Sequence, residues 1–233
     1  MNKNEYTTIE SYMISKMNDS AHDIHHVYRV LNAAVDIANH TEAVSMEILI
    51  AACLLHDIGR EQQFANPNLC HAQIGGEIAY EFLLSQNWPE PKAQHVKECI
   101  QAHRYRSSNP PQSIEAKILF DADKLDVCGA IGIARTLQYE GHTGDQLYIL
   151  DKNEKIITDG GGANKSTFFQ EYNFKLKKIY DTFFTEHARN LAKARQKASI
   201  DFYNALHSEI SQNYENGRNF LCNKQPSGAP AYK

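Results

Sequence analysis

Apolar residues recur three and four positions apart through most of the first 140 residues, as Val27, Val30, Leu31, Ala34 and Ile37 in one stretch and Ile74, Ile78, Phe82 and Leu83 in another. This spacing lines one face of a helix, and it predicts an all-α body. Turn-forming residues should interrupt the helices at Asn18 to Ser20, at Asn66-Pro67-Asn68, at Trp88-Pro89 and at Ser107 to Pro111. Past Gly141 the pattern changes. Gln146 to Leu150 and Lys155 to Thr158 are β-prone runs around Asp151-Lys152-Asn153-Glu154, which predicts a small β-hairpin insertion at about 145–160. Gly160-Gly161-Gly162 reads as a flexible joint. Helical spacing returns over about 165–212, where Phe174, Leu176, Ile179, Tyr180 and Phe183 hold the apolar positions of C-terminal helices. Residues 216–233 have little to bury and read as a flexible tail.

A chain of 233 residues can bury a sizeable core, and residues 1–215 are expected to form one domain. The 24 Lys+Arg against 28 Asp+Glu leave a formal charge of -4, which offers no field to gather nucleic acid, so none is expected as a partner. Cys53, Cys70, Cys99, Cys128 and Cys222 are scattered, without the close pairs of a disulfide framework or a cysteine zinc site. The opening MNKNEYTTIE lacks an apolar signal core. The longest apolar run, Ile48 to Leu55, falls far short of the ~20 residues that span a bilayer. The expectation is a cytoplasmic protein that does not enter membranes. The charged C-terminal helices read either as solvated surface or as the contact of a homodimer.

The candidate chemistry lies where ionisable residues meet apolar helices. Two His-Asp pairs occur, His22-Asp23 and His56-Asp57, and their surroundings separate them. His56-Asp57 closes the run ILIAACLL, so an imidazole and a carboxylate are carried toward the core, at a cost that a bound cation would offset. The plainer reading is a hydrogen-bonded pair at a helix end. Upstream, His22-Asp23-Ile24-His25-His26-Val27-Tyr28-Arg29-Val30 opens an amphipathic helix. Downstream, Asp121-Ala122-Asp123-Lys124-Leu125-Asp126 follows the apolar Ile118-Leu119-Phe120, and three acids facing one cavity would repel one another without a cation. His40, His95, His187 and His207 fall in charged segments or near a helix end and read as surface residues.

This ordered series of His, His-Asp and Asp in an Ala-Asp-Lys-Leu context resembles the HD superfamily of metal-dependent phosphohydrolases over roughly residues 20–140. The resemblance implies an HD-domain helical bundle. His26 matches the family's H-x-x-R-V ligand, His56 and Asp57 the paired ligands, and Asp123 the distal aspartate. The phrases DADKLDVCGAIGIART and GHTGD resemble more narrowly a bacterial subfamily that includes nucleotide pyrophosphohydrolases. His71 and His103 stand where two-metal members carry extra histidines; the reading favours contact with substrate phosphate and keeps a second ion as the alternative. Imidazole and carboxylate ligands suit Mn²⁺ as the leading cofactor, with Fe²⁺, Co²⁺, Ni²⁺, Zn²⁺ or Mg²⁺ as alternatives.

The implied mechanism is attack by metal-bound hydroxide, formed as the ion lowers the pKa of water from about 15.7 toward ~7. Asp57, Glu61 and Lys124 are the expected catalytic residues, with Glu61 orienting water or protonating a leaving group, or else simply exposed. Arg29 and Arg60 are expected to bind substrate, although Arg29 reads equally as the partner of a core acid such as Asp126, and Lys124 shares that ambiguity. His142 and Asp145 sit in a Gly-bounded loop that reads either as a lid or as a surface turn. The expected substrate is a small phosphorylated compound, a nucleotide by preference, and the leading activity is cleavage of a nucleoside triphosphate to monophosphate and pyrophosphate. The alternatives are a 5'-nucleotidase or phosphodiesterase, then a di-iron oxygenase or a non-catalytic nucleotide-binding regulator.

Overall fold

The chain's most continuous apolar run becomes its central helix. The structure, a computed structural model, describes residues 1–17, 24–105, 109–159 and 167–224. In it α3 (Met46–Leu55) buries Ile48, Leu49 and everything from Ala51 to Leu55, because a helix that is apolar all round must be enclosed. It is surrounded by α1 (Lys3–Lys16), α2 (Ile24–Asn39), α5 (His71–Ser85), α6 (Glu90–Ala102) and α7 (Ile114–Leu125), with the short α4 (Arg60–Ala65) leading into α5. The amphipathic stripe of α2 is buried as its spacing predicts, at Val27, Val30, Leu31, Ala34 and Ile37. The fold is the all-α bundle that the sequence pattern predicts.

A second unit follows. Helix α8 (Gly129–Thr143), the short α9 (Phe168–Glu171), a π-helical turn at Tyr172–Leu176 and a 3₁₀ turn at Ile179–Asp181 precede the long α10 (Glu186–Lys224). Ile133, Phe168, Tyr172 and Leu176 form a small apolar cluster beside the main core, with Phe202, Tyr203 and Leu206 of α10 packed on it.

Three expectations are corrected. The β-hairpin reduces, among the described residues, to one antiparallel bridge between Leu150 and Ile156. Asp151 caps that turn, its carboxylate accepting from the Asn153 and Lys155 amides at 2.8 Å each, and only two backbone bonds, Asp151 N–H to the Lys155 carbonyl and Ile157 N–H to the Ile149 carbonyl at 2.8 Å each, flank the bridge. The helical stretch expected over 165–212 is interrupted before α10, because the buried Asp121 carboxylate accepts from the amides of Phe184 and Thr185 at 2.9 and 2.7 Å and from the Thr185 hydroxyl at 2.6 Å. Leu176, Ile179, Tyr180 and Phe183 are buried as expected, but Phe174 is exposed. The expected tail is helical as far as Lys224, and its remainder lies outside the described residues, as do His22-Asp23 and the Gly160-Gly161-Gly162 joint. Among the described residues no helix is long and apolar enough to cross a membrane.

Candidate active site

Helix ends deliver the polar residues to one place. His26 lies in the first turn of α2, His56 and Asp57 follow the last residue of α3, His71 opens α5, His103 follows α6, and Asp123 and Asp126 stand in and just after the last turn of α7. His26, His56, Asp57, His71 and His103 are each exposed by 2% or less. In every one of these histidines Nδ1 is occupied: by Asp126 Oδ2 at 2.7 Å for His26, the Cys53 carbonyl at 2.8 Å for His56, Gln63 Oε1 at 2.8 Å for His71 and the Ile100 carbonyl at 2.6 Å for His103.

The Nε2 atoms consequently converge. His26 and His56 bring theirs to 3.3 Å of each other, and His71 and His103 do the same. Asp57 lies between the two pairs. Its Oδ2 is 3.5 Å from His26 Nε2 and 3.6 Å from His56 Nε2, while its Oδ1 is 3.4 Å from His71 Nε2 and 3.7 Å from His103 Nε2. Asp123 Oδ1 completes the first pair at 3.5 Å from His26 Nε2. Two ligand groups result, His26–His56–Asp123 and Asp57–His71–His103, each with its ligand atoms within 4.8 Å of one another.

The donor chemistry fits a pair of divalent ions. An Nδ1–H that donates to a carbonyl or amide oxygen leaves Nε2 as a lone pair, and facing lone pairs beside carboxylates repel unless a cation sits among them. Burial lowers the His56 pKa, takes His103 down to about 4 and His71 to about 2, so these imidazoles are neutral at pH 7. Burial also opposes the charged form of His26, but its bonds to Asp126 and Asp57 carry it above the ordinary value. Asp123 is partly buried, which would raise it, yet Lys124 and the surrounding histidines hold it well below the usual carboxylate range. The neutral nitrogens of His56, His71 and His103 with ionised carboxylates are ligand types that first-row divalent metals take.

Backbone sets the spacing of the two groups. A Cβ on Gly59 would meet the His71 carbonyl oxygen at 2.3 Å and the Gly75 nitrogen at 2.7 Å, so the turn carrying His56 and Asp57 rests directly on the first turns of α5.

The remaining expected site residues divide. Arg60 donates to Asp57 Oδ1 at 3.0 Å and lines the adjoining cavity. Lys124 bonds Asp123 Oδ2 at 2.8 Å, lies over the Phe120 ring and faces the same space. Arg29, expected either to bind substrate or to pair with a core acid, grips Asp126 from Nε at 2.7 Å and Nη2 at 3.0 Å, behind the His26 ring. Glu61 is exposed and is not among the residues that line the cavity, because Arg60 takes the inward position on the first turn of α4 and the next residue turns outward. His71 and His103 turn Nε2 toward Asp57 in the second grouping, and both also line the cavity. Asp145 lines the cavity, whereas His142 is exposed in the last turn of α8. His40 is exposed and stacks on His187, and both approach Asp36 in a third, more open grouping of ligand types. His95 pairs with the buried Glu115 at 3.2 Å.

The cavity beside the histidines has a volume of about 630 Å³, within the range of small-molecule sites. One wall carries Arg60, His71, His103, Arg104, Asp123 and Lys124; the other carries Arg135, Tyr139 and Glu140 of α8 with Glu171, Lys175 and Lys178 beyond. Six cationic side chains thus face four carboxylates, one of them Asp123, an excess that suits a polyanion. Arg104, Arg135, Tyr139, Glu140, Lys175 and Lys178 were not singled out by the sequence. Arg104 directly follows His103, the one adjacency that pointed to it.

Known proteins resemble this chain in sequence and fold. The family model described as HD domain matches residues 23–128. The Bacillus subtilis (strain 168) protein YpgQ is 27% identical over 208 residues, covering 87% of this chain and 92% of its own. Its crystal structure in complex with ADP superposes with a TM-score of 0.68 at 26% identity, over 88% of this chain and 97% of that one. A Lactobacillus plantarum protein of solved structure gives a TM-score of 0.72 at 26% identity, over 91% of this chain and 99% of that one. A predicted HD superfamily hydrolase from an uncultured Thermotogales bacterium gives 0.59 at 28% identity, over 89% and 92%.

Proposed function

An HD domain occupies residues 23–128, and from that premise we propose that the protein is a divalent-metal-dependent phosphohydrolase that cleaves a nucleoside polyphosphate. The observation that carries the proposal is the position of Asp57, with one carboxylate oxygen beside each of two histidine pairs whose other nitrogens are already engaged. In this reading His26, His56, Asp57 and Asp123 would hold one ion, and His71 and His103, together with Asp57, a second. Such ions supply Lewis acidity toward a phosphoryl oxygen and toward water. Mn²⁺ remains the leading choice.

The protein's own groups do the rest. Arg60, Arg104 and Lys124 border the ligands and would donate to phosphate oxygens and stabilise the charge that grows on them in the transition state. Asp126 fixes the His26 ring, and Arg29 and Arg135 hold Asp126 at 2.7 and 2.6 Å. The ADP found with YpgQ supports a nucleotide as substrate. Cleavage to monophosphate and pyrophosphate is the reaction we expect.

The test strips the protein of metal, restores single ions, and screens a nucleotide panel for phosphate, pyrophosphate and monophosphate. Metal-dependent turnover that Asp57→Ala abolishes, with the helical signal intact, supports the reading. Full activity in both Asp57→Ala and Asp123→Ala would remove it, and consumption of dioxygen by the iron-loaded protein without any phosphate release would replace it with oxygenase chemistry.

A further inference from the structure

Glu140 is a buried carboxyl that the metal chemistry does not use. It stands in the last turn of α8, only 6% exposed, and neither carboxyl oxygen has a hydrogen-bond partner among the described residues, yet it lines the same cavity as the ligands. A buried polar group left in this way is costly unless something completes it. Among the described residues no cation hydrogen-bonds it. From the loop after α8, Asp145 takes the Thr143 hydroxyl at 2.5 Å. From α9, Glu171 is held by Lys175 of the π-helical turn at 2.7 Å. Arg135, one and a half turns back on α8, bonds Asp126 at 2.6 Å, and Lys178 lies over the Phe174 ring. Behind them α10 sets His207 against Phe169.

The neighbouring Tyr139, 48% exposed, lines the cavity. From Arg135, at the ligand end, to Glu140 is five residues, about 7.5 Å along a helix axis, a span that suits the step from phosphate to base in a nucleotide. A flat face beside an unfilled hydrogen-bonding edge is what a base requires. We propose that the Tyr139–Glu140 end of the cavity is a nucleobase subsite, in which Glu140 accepts from an exocyclic amino group and donates to the adjacent ring nitrogen, so that adenine-type bases are selected over guanine. This deepens the phosphohydrolase reading and rests on it.

The choice of base follows from the proton. A neutral carboxyl offers a donor beside an acceptor, which matches the amino group and ring nitrogen of adenine; a carboxylate offers two acceptors, which matches the two adjacent N–H groups of guanine. Burial, then repulsion from Glu171 and Asp145, raises Glu140 to about 7, and a base laid over it removes more water and favours the neutral form further.

The experiment measures calorimetric binding of the α,β-methylene analogues of ADP and GDP to the full, Mn²⁺-supplemented chain at about pH 6 and about pH 8.5, on either side of the proton's range. The adenine analogue should bind about tenfold tighter at the lower pH, with the preference shrinking at the higher. Glu140→Gln should keep the preference at both pH values, because an amide offers N–H and C=O without titrating, and Glu140→Leu should abolish it. A wild-type preference that ignores pH, or one that survives Glu140→Leu, overturns the proposal. Methylenediphosphonate, which has no base, separates the two levels: if it binds and both nucleotides bind equally, the base-reading role fails and the phosphohydrolase reading stands. If neither it nor any nucleotide binds, both fail.

Discussion

The two walls of the cavity differ in how finished they are. On the wall built from α2 to α7, every histidine has its second nitrogen engaged and its ring buried, and Asp126 is gripped by two arginines as well as by His26. On the wall built from α8 and the turns after α9, Tyr139 and Lys175 reach into solvent and Glu140 keeps both oxygens without a partner among the described residues. One side is fixed before anything binds; the other is completed by what binds. Preorganised groups do chemistry, whereas groups that await a partner discriminate among partners.

The contrast can be broken most severely at Asp57. Asp57→Ala should cost more than the ~100-fold that loss of an outer partner of a metal site brings, and metal analysis should find both ions released, because each histidine pair shares this residue. His71→Ala sharpens the same point: bound metal should fall from two ions per chain to one, and a stoichiometry unaffected by this change would return His71 to the phosphate role. Asp126→Asn leaves the ligands in place but loosens His26, so metal affinity measured by titration should fall about 10- to 100-fold. On the opposite wall, Lys175→Ala with Lys178→Ala should raise KM several-fold at nearly constant kcat, the sign of binding energy that is uniform along the reaction.

The smallest effect is on stability. The Glu140 carboxyl is raised to about 7 from an ordinary 4.5, so the unfolded chain gives up this proton first. Its contribution is therefore whole below about pH 4.5 and is lost as pH rises through about 7. Glu140→Gln does not titrate, and its Tm should gain on the wild type between pH 5 and pH 8 (about the window these values define); a difference that holds constant over that range would place the proton elsewhere.

The unevenness of the two walls also explains what the sequence could tell. His26, His56, Asp57 and Asp123 were legible because each interrupts or ends an apolar helix, where an ionisable group needs a reason. The all-α body was legible because α2 and α3 bury what their spacing and apolarity demand. Glu140 was not: a glutamate near the end of an amphipathic helix reads as solvated, and only packing of the Phe168 to Leu176 segment, some thirty residues on, encloses its helix. The break before α10 was hidden for the same reason, since it is made by Asp121, more than sixty residues away along the chain. Arg29 was weighed with its true partner in view, yet no pattern of spacing could say whether Asp126 or a ligand would claim it.

Gly59 bears on how such a protein can change. Because main chain there touches main chain, any larger residue would wedge apart the two halves of the histidine cluster. The interval between them is thus beyond fine adjustment by mutation: it can be kept or ruined. Diversification of what this scaffold accepts has to come from the far side of the cleft, where a side chain can be exchanged without disturbing the reaction's machinery.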